Sequence, residues 1–182
     1  MPCLCSLEKC PECTLKELKY DIIFASDDND GIGKWNRIPW YCPADMTTFN
    51  TRTKQIKNAD QMNVLIMGRK TYESMPNMAC PFPNRLSIVV THYPSVIKKT
   101  KWVKAASDFK EALLLAATYN YNKIFVIGGA QILREAFARQ TNIANIYHTH
   151  IIGDYNCDVN FRFSKSDLRT ESTSTDCKEF YW

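Results

Sequence analysis

Residues 64–71 read VLIMGRKT, a short apolar run that ends at a glycine and continues into a basic, polar segment. A second stretch of the same kind, residues 124–130, reads IFVIGGA. Short apolar runs bounded by glycine are typical of buried strands, and the segments after the glycines predict helices. Strands that alternate with helices indicate an α/β fold with a mostly parallel sheet.

The rest of the chain extends this pattern. Predicted strands cover 20–26, 64–67, 86–90, 101–103, 124–127 and 143–152, and two more lie after Leu168, around Thr175 and Asp176. Predicted helices cover 43–56, 69–74, 108–120 (with Ser107 as N-cap) and 130–139. The two strands predicted after Leu168 favour an antiparallel edge of the sheet. We therefore predict a mixed, mostly parallel central sheet of about eight strands, flanked by helices.

Composition excludes several classes of protein. The 182 residues are 45% hydrophobic and 23% charged, which is typical of a soluble globular domain. The net charge of +4, from 23 basic and 19 acidic residues, is too small to indicate a nucleic-acid partner. The sequence has neither an apolar run of about 18 residues nor a secretory signal, so we expect no membrane partner and a cytoplasmic location.

The first nineteen residues differ from the rest. They contain four of the eight cysteines, Cys3, Cys5, Cys10 and Cys13. They also show little apolar periodicity. We interpret 1–19 as a flexible, reduced extension outside the catalytic domain, which would span 20–182. The alternative is a four-thiolate zinc site. No other residues have the spacing of metal ligands, so no metal is expected in the domain.

The two glycine junctions suit phosphate, because free N–H groups and the positive dipole end of a helix meet there. Arg69 and Lys70 add charge to the first junction, and Thr71 adds a hydroxyl. Alternatively, the glycines only permit tight turns. Neither junction matches GxGxxG or GxxxxGK[ST]. Two junctions in one domain favour a ligand with two phosphate groups.

Asp45 falls in the first turn of the predicted helix 43–56, on the same face as Met46 and Phe49. It is either an ordinary acid stabilised by the helix dipole, or a buried carboxylate that binds the two parallel donors of an amidine-like edge. The loop from Gly31 to Trp40 is either a lid over the site or an ordinary surface loop.

Taken together, motifs along most of the chain resemble the dihydrofolate reductase family. They are GIG at 31–33, PW at 39–40, PAD at 43–45, MGRKTYES at 67–74, PNR at 83–85, VIGG at 126–129, YHTH at 147–150, and Asp158 with Phe161. The resemblance implies NADPH-dependent reduction of 7,8-dihydrofolate to tetrahydrofolate, which supports thymidylate and one-carbon metabolism. Hydride would pass to pterin C6 and a proton to N5.

The resemblance also implies roles for individual residues. Asp45 would hold the pterin 2-amino and N3 groups, Thr149 would hydrogen-bond that carboxylate, and Trp40 would help to order a water. Arg85 would pair with the α-carboxylate of the substrate's glutamate tail. The implied substrate site is Ile23, Ala25, Asp45, Met46, Phe49, Met75, Arg85 and Thr149.

The implied NADPH site contains both glycine junctions. Arg69, Thr91 and His92 would face the 2′-phosphate, and Ile32 and Gly33 would close over the nicotinamide. The full set is Ala25, Ile32, Gly33, Gly68, Arg69, Lys70, Thr71, Thr91, His92, Ile127, Gly128, Gly129, Ala130, Gln131 and Ile132.

Three alternatives remain open. The chain could be a related pyrimidine reductase of riboflavin biosynthesis, or a degenerate folate- or nucleotide-binding module. It could also be one domain of a longer bifunctional protein with thymidylate synthase, because the final residues look like the middle of a strand. We expect a small-molecule substrate, and either a monomer or one domain of such a larger enzyme. Leu133 departs from the family, which usually has an aromatic residue there.

Overall fold

The computed structural model describes residues 10–75, 82–164, 169–173 and 177–181. Its helices are α1 (Pro11–Glu17), α2 (Pro43–Lys54), α3 (Arg69–Ser74), α4 (Phe109–Ala117) and α5 (Ala130–Phe137). Its strands are β1 (Tyr20–Ser26), β2 (Gly31–Gly33), β3 (Met62–Gly68), β4 (Arg85–Val90), β5 (Val103–Ala106), β6 (Tyr121–Val126), β7 (Ile143–Ile151), β8 (Val159–Asn160), β9 (Arg169–Thr173) and β10 (Cys177–Tyr181). None of the described helices is long and apolar enough to cross a membrane.

The central sheet has eight strands in the order β5-β4-β3-β6-β1-β7-β10-β9. The strands from β5 to β7 are parallel to their neighbours. The last two add an antiparallel edge, because β10 pairs with β7 and with β9 in opposite directions. A separate antiparallel pair joins β2 to β8. The predicted fold class is confirmed. The predicted tail turn around Thr175 and Asp176, and Trp182, lie outside the described residues.

Most predicted elements form close to their predicted bounds. Helix α3 matches its prediction, and α2 ends two residues early, at Lys54. Two predictions are wrong in detail. The short strand predicted at 101–103 begins at Val103 instead and continues to Ala106. The N-cap of α4 is Asp108, whose Oδ1 accepts from the Glu111 N–H at 2.7 Å, whereas Ser107 donates its hydroxyl to the Glu111 carboxylate.

Alternation along β1 separates two apolar layers. Tyr20, Ile22 and Phe24 belong to the larger core, which lies under α4 and α5. Ile23 lies in a smaller cluster on the other side, where α2 and α3 contribute Phe49 and other partly buried residues. The predicted substrate walls therefore lie on the α2 side of the sheet.

The segment before β1 contributes to the core. Leu15 of α1 and the following Leu18 are only 7% and 5% exposed. The side-chain amide of Asn142 donates to the carbonyl oxygens of both, at 2.6 and 2.7 Å. Residues 10–19 thus contact the core through Leu15 and Leu18, whereas the division of the chain into an extension, 1–19, and a catalytic domain, 20–182, stays a prediction.

The zinc alternative stays a prediction. Cys10 and Cys13 are partly buried cysteines, and Cys3 and Cys5 lie outside the described residues. Within the described part of the chain, no group of three or more His, Cys, Asp or Glu side chains could hold a metal ion.

Candidate active site

The two glycine junctions lie side by side at the carboxyl ends of β3 and β6. The backbone N–H of Gly68 donates to the carbonyl oxygen of Gly128 across 2.8 Å. A Cβ built at Gly129 would lie 3.2 Å from Oγ1 of Thr71, so the backbone there approaches α3 closely. Gly128 has a φ of 111°, which residues with side chains rarely adopt. Helices α3 and α5 therefore begin next to each other, as the phosphate prediction requires.

The residues predicted to face a 2′-phosphate lie where β3 and β4 end in register. Arg69 begins α3, and its Nη1 lies 3.0 Å from Oε1 of Glu73, one helical turn along. Thr91 is buried and its Oγ1 accepts from the N–H of Tyr93, while His92 is exposed. The structure places Arg69, Thr91 and His92 on one edge of the sheet. The ion pair between Arg69 and Glu73 was not predicted from the sequence.

The predicted cofactor residues that follow the second junction differ in the groups that they can offer to a cofactor. The side chains of Ala130 and Ile132 are buried in the core, so they can offer a cofactor only backbone groups. Gln131 is exposed, and its amide lies 3.3 Å from the carboxylate of Glu135. Leu133 is also buried in the core. It cannot supply the hydroxyl that an aromatic residue such as tyrosine would bring.

Asp45 lies where the prediction places it, in the first turn of α2 behind Pro43. It is half-buried. Ala25 of β1 pairs in register with Thr149 of β7, and Thr149 is only 6% exposed. Cys42, the N-cap of α2, belongs to an apolar cluster against which Ala25 packs. The first turn of α2 therefore lies beside the strand pair that carries Thr149.

Trp40 packs against the same cluster and makes an edge contact with Tyr155, with ring centroids 5.5 Å apart. Its indole Nε1 is buried and has no hydrogen-bond partner among the described residues. A buried indole N–H usually has an acceptor. The prediction that Trp40 helps to order a water agrees with this geometry.

Among the described residues, Arg85 is the largest fully buried side chain, only 1% exposed. Its Nη1 donates to Oγ1 of Thr53 at 2.6 Å and lies 3.5 Å from Oδ1 of Asn50, both on α2. The guanidinium carbon lies 4.6 Å from the centroid of the Phe82 ring. Because Asp45 and Thr53 are eight residues apart on α2, the Asp45 backbone and the point where Arg85 contacts the helix lie about 12 Å apart along its axis.

The predicted apolar walls are partly brought together. Ile23 belongs to the cluster on the α2 side of the sheet, and Phe49 and Met75 pack against it. Ala25 lies in the adjacent cluster with Trp40. Met46 does not join either cluster: it is 49% exposed, on the outer side of the first turn of α2.

Comparison with known sequences identifies the family. The family model described as dihydrofolate reductase matches residues 19–179. The chain belongs to the dihydrofolate reductase family. Dihydrofolate reductase of Schistosoma mansoni is 32% identical over 150 residues, which are 79% of the chain and 78% of that protein. That of Aedes albopictus is 30% identical over 165 residues, 88% of each.

Longer relatives also match. Bifunctional dihydrofolate reductase-thymidylate synthase 2 of Arabidopsis thaliana is 36% identical over 145 residues, which are 77% of the chain but 26% of that protein. The chain therefore spans about a quarter of the length of the bifunctional relatives it matches. The predicted family is confirmed, and the predicted enzyme class, an oxidoreductase acting on dihydrofolate, is the one that the family name states. Membership implies a nicotinamide cofactor in general.

Asp27, a buried carboxylate just before the predicted lid, was not predicted from the sequence to have a role. Asp27 is fully buried, and its carboxylate accepts from the N–H groups of Asn29, Gly31 and Tyr155 at 3.0, 2.7 and 3.1 Å. The Cys157 thiol lies 3.4 Å from it. Burial alone would raise the pKa of Asp27, but these hydrogen bonds outweigh burial and hold that pKa below its ordinary value.

The lid is tied to the segment 153–161 at further points. The N–H of Asp158 donates to the carbonyl oxygen of Gly33 at 3.1 Å, and the Asp158 carboxylate accepts from the N–H of Trp35 at 2.9 Å. A Cβ at Gly31 would lie 2.5 Å from Cβ of Cys157, so only glycine fits there. The residues predicted to close over the nicotinamide, Ile32 and Gly33, are therefore anchored through their backbone. We call these contacts, together with those of Asp27, the lid anchor.

Proposed function

We propose that this domain reduces 7,8-dihydrofolate to tetrahydrofolate with NADPH, either alone or as part of a longer bifunctional protein. One observation supports this most strongly. Helix α2 presents the Asp45 carboxylate at its first turn and contacts the buried Arg85 near its other end. Dihydrofolate carries hydrogen-bond donors at its pterin end and carboxylates at its glutamate end. The Asp45 carboxylate at one end of α2 therefore matches the pterin end of the substrate, and the Arg85 guanidinium that contacts the helix near its other end matches the glutamate end.

At the pterin end, Asp45 accepts two parallel hydrogen bonds, from the 2-amino group and N3. A bidentate arrangement of this kind fixes orientation as well as adding binding energy. Thr149, held in place by its register with Ala25, donates to the same carboxylate. The fixed negative charge of Asp45 stabilises positive charge that develops on the pterin as N5 is protonated.

At the glutamate end, Arg85 binds the α-carboxylate of the substrate. A guanidinium presents donors in a planar fork that suits a carboxylate. Its contacts with Thr53 and with the Phe82 ring fix the plane of that fork before substrate arrives. Because the group is prepositioned and buried, little rotamer entropy is lost on binding.

We propose that the cofactor is NADPH, which would supply the hydride when bound. The paired N-termini of α3 and α5 hold the pyrophosphate. Arg69, with Thr91 and His92, binds the 2′-phosphate, so NADPH is preferred over NADH. Arg69→Ala should erode that preference about tenfold, the effect of one lost charge-assisted hydrogen bond, while Lys110→Ala, at an exposed position of α4 outside the predicted site, serves as the control.

The decisive assay is the loss of NADPH absorbance on addition of dihydrofolate. The proposal expects turnover with dihydrofolate, and none with the pyrimidine substrate of the riboflavin-pathway reductases. Turnover of that pyrimidine alone would favour the related reductase. Tight binding of NADPH and dihydrofolate without turnover would favour a degenerate binding module. The cytoplasmic location remains a prediction of the sequence.

A further inference from the structure

The first turn of α1 carries two cysteines three positions apart, in the sequence Cys10-Pro11-Glu12-Cys13. Cys10 is the N-cap, with extended backbone, and Cys13 is the third residue of the helix. Side chains three positions apart on a helical turn are neighbours, with Cβ atoms about 5–6 Å apart. A disulfide requires Cβ atoms about 3.5–4.5 Å apart, so the first turn must tighten by about 1–2 Å between these two Cβ atoms to form one.

The two sulfurs already interact. Both the backbone N–H and the thiol of Cys13 donate to the sulfur of Cys10, and these two hydrogen bonds lower the pKa of Cys10. The pKa of Cys13 is raised, first because its thiol is held as the donor and then by desolvation. Cys10 is thus the better nucleophile of the pair, and Cys13 is kept protonated beside it.

The turn that carries the pair has a fixed backbone. The N–H of Thr14 donates to the carbonyl oxygen of Cys10 at 3.0 Å, which closes the first turn. Leu15 and Leu18 are buried in the core, and Asn142 binds the carbonyl oxygens of both. The helix is therefore held against the domain.

The other described thiols contrast with this pair. Burial, with the hydrogen bond to Asp27, raises the pKa of Cys157 to about 11. Cys42 is only 3% exposed. Because the thiolate is the reactive form and needs access, both are poor nucleophiles. The chain thus supplies its own internal controls.

We propose that Cys10 and Cys13 are a reversible dithiol–disulfide couple that exchanges with low-molecular-weight disulfides. The Cys10 thiolate attacks one sulfur of the external disulfide, whose S–S bond breaks and releases one thiolate. Cys13 then loses its proton and attacks the Cys10 sulfur, which forms the internal disulfide and releases the second thiolate. The two cysteines lose two electrons, and the external disulfide becomes two thiols that take up the two protons. This proposal does not depend on the proposed reductase activity.

The test uses the full chain, equilibrated at neutral pH with graded ratios of reduced and oxidised glutathione. Samples are quenched in acid, alkylated and analysed by peptide mass spectrometry. We expect the peptide with Cys10 and Cys13 to become lighter by two hydrogens and to escape alkylation, while Cys42 and Cys157 stay alkylated. The change should reverse on adding a dithiol reductant. Persistence of both thiols at the most oxidising ratio would overturn the proposal.

Single variants assign the roles. Cys13→Ser should trap glutathione on Cys10, because the resolving thiol is absent. Cys10→Ser removes the sulfur to which the Cys13 thiol donates, so Cys13 should then form a stable mixed disulfide with glutathione as well. In the natural chain, acid quenching soon after limiting oxidised glutathione is added should give the first mixed disulfide on Cys10, because its lower pKa leaves more thiolate. A first adduct on Cys13 would contradict the assigned order.

The remaining cysteines provide the last arm of the test. Cys3→Ser with Cys5→Ser should leave the couple intact. A disulfide from Cys10 to Cys3 or Cys5 in the natural chain would overturn the pairing. Stoichiometric zinc in the purified chain, released with loss of Cys10 protection when a chelator is added, would replace the couple with a metal site.

Discussion

Two aspartates in this chain illustrate the difference between a carboxylate that supports the fold and one that we propose binds the substrate. Asp27 is fully buried, and hydrogen bonds from its own chain surround it, from Asn29, Gly31 and Tyr155. Asp45 is half-buried in the first turn of α2, beside the apolar cluster that contains Cys42 and Trp40. An acid that accepts hydrogen bonds from several buried backbone N–H groups stabilises the fold, whereas Asp45 is the acid that we propose binds the substrate.

The largest effect should come from the carboxylate in the first turn of α2, that of Asp45. Asp45→Asn keeps the volume of the side chain but removes the negative charge that stabilises a protonated pterin. We expect turnover of dihydrofolate to fall by about 10²–10³-fold, the range seen when one preorganised electrostatic contact is removed. NADPH binding, measured by fluorescence titration, should be unchanged. Turnover within about twofold of the natural chain would contradict the assignment.

The second effect concerns stability. Asp27→Ala leaves three buried backbone N–H groups without their acceptor, and we expect the free energy of unfolding to fall by about 3 kcal/mol. Urea denaturation measures this. Asp27→Asn retains an oxygen acceptor and should lose less. An alanine variant as stable as the natural chain would show that the lid anchor does not need the carboxylate.

A third variant tests whether α1 belongs with the stabilising region. Leu15 is 7% exposed in the core, and Leu15→Ala should cost about 2–3 kcal/mol of unfolding free energy. Lys16→Ala, on the outer face of the same helix, is the matched control and should have little effect. If both variants unfold like the natural chain, then α1 does not stabilise the domain.

The smallest effect is on the pH dependence of stability. Because the pKa of Asp27 is lowered by folding, its contribution is complete above the ordinary aspartate pKa of about 3.9 and is lost as the pH falls towards the folded value. The stability of the natural chain should therefore fall more steeply below about pH 4 than that of Asp27→Asn. Parallel pH profiles would show that Asp27 does not contribute to this loss.

Features that depend on neighbouring residues were predictable from the sequence. The apolar runs before Gly68 and Gly128 gave both junctions, and Pro43 marked the start of α2 correctly. The family motifs then assigned Asp45 and Arg85, and the structure connects both to α2.

Features that depend on distant contacts were missed. Asp27 meets Tyr155 and Cys157, which lie about 130 positions away in the sequence, so no local pattern reveals the lid anchor. The turn-forming DDND sequence at 27–30 was a signal for a loop, not for the partner of that loop. The burial of Leu15 and Leu18 in the core was also not predicted, because residues 10–19 were interpreted from their cysteines alone. The choice of Asp108 over Ser107 as N-cap depends on a register of one residue, which propensity does not resolve.

The most direct test of the account measures two asparagine variants side by side. For Asp45→Asn and Asp27→Asn, turnover per folded molecule and the free energy of unfolding are measured in the same buffer at neutral pH. We expect a crossover: Asp45→Asn loses turnover and keeps stability, whereas Asp27→Asn loses stability and keeps most of its turnover per folded molecule. Loss of stability without loss of turnover in Asp45→Asn would contradict this expectation, because it would assign the structural role to Asp45.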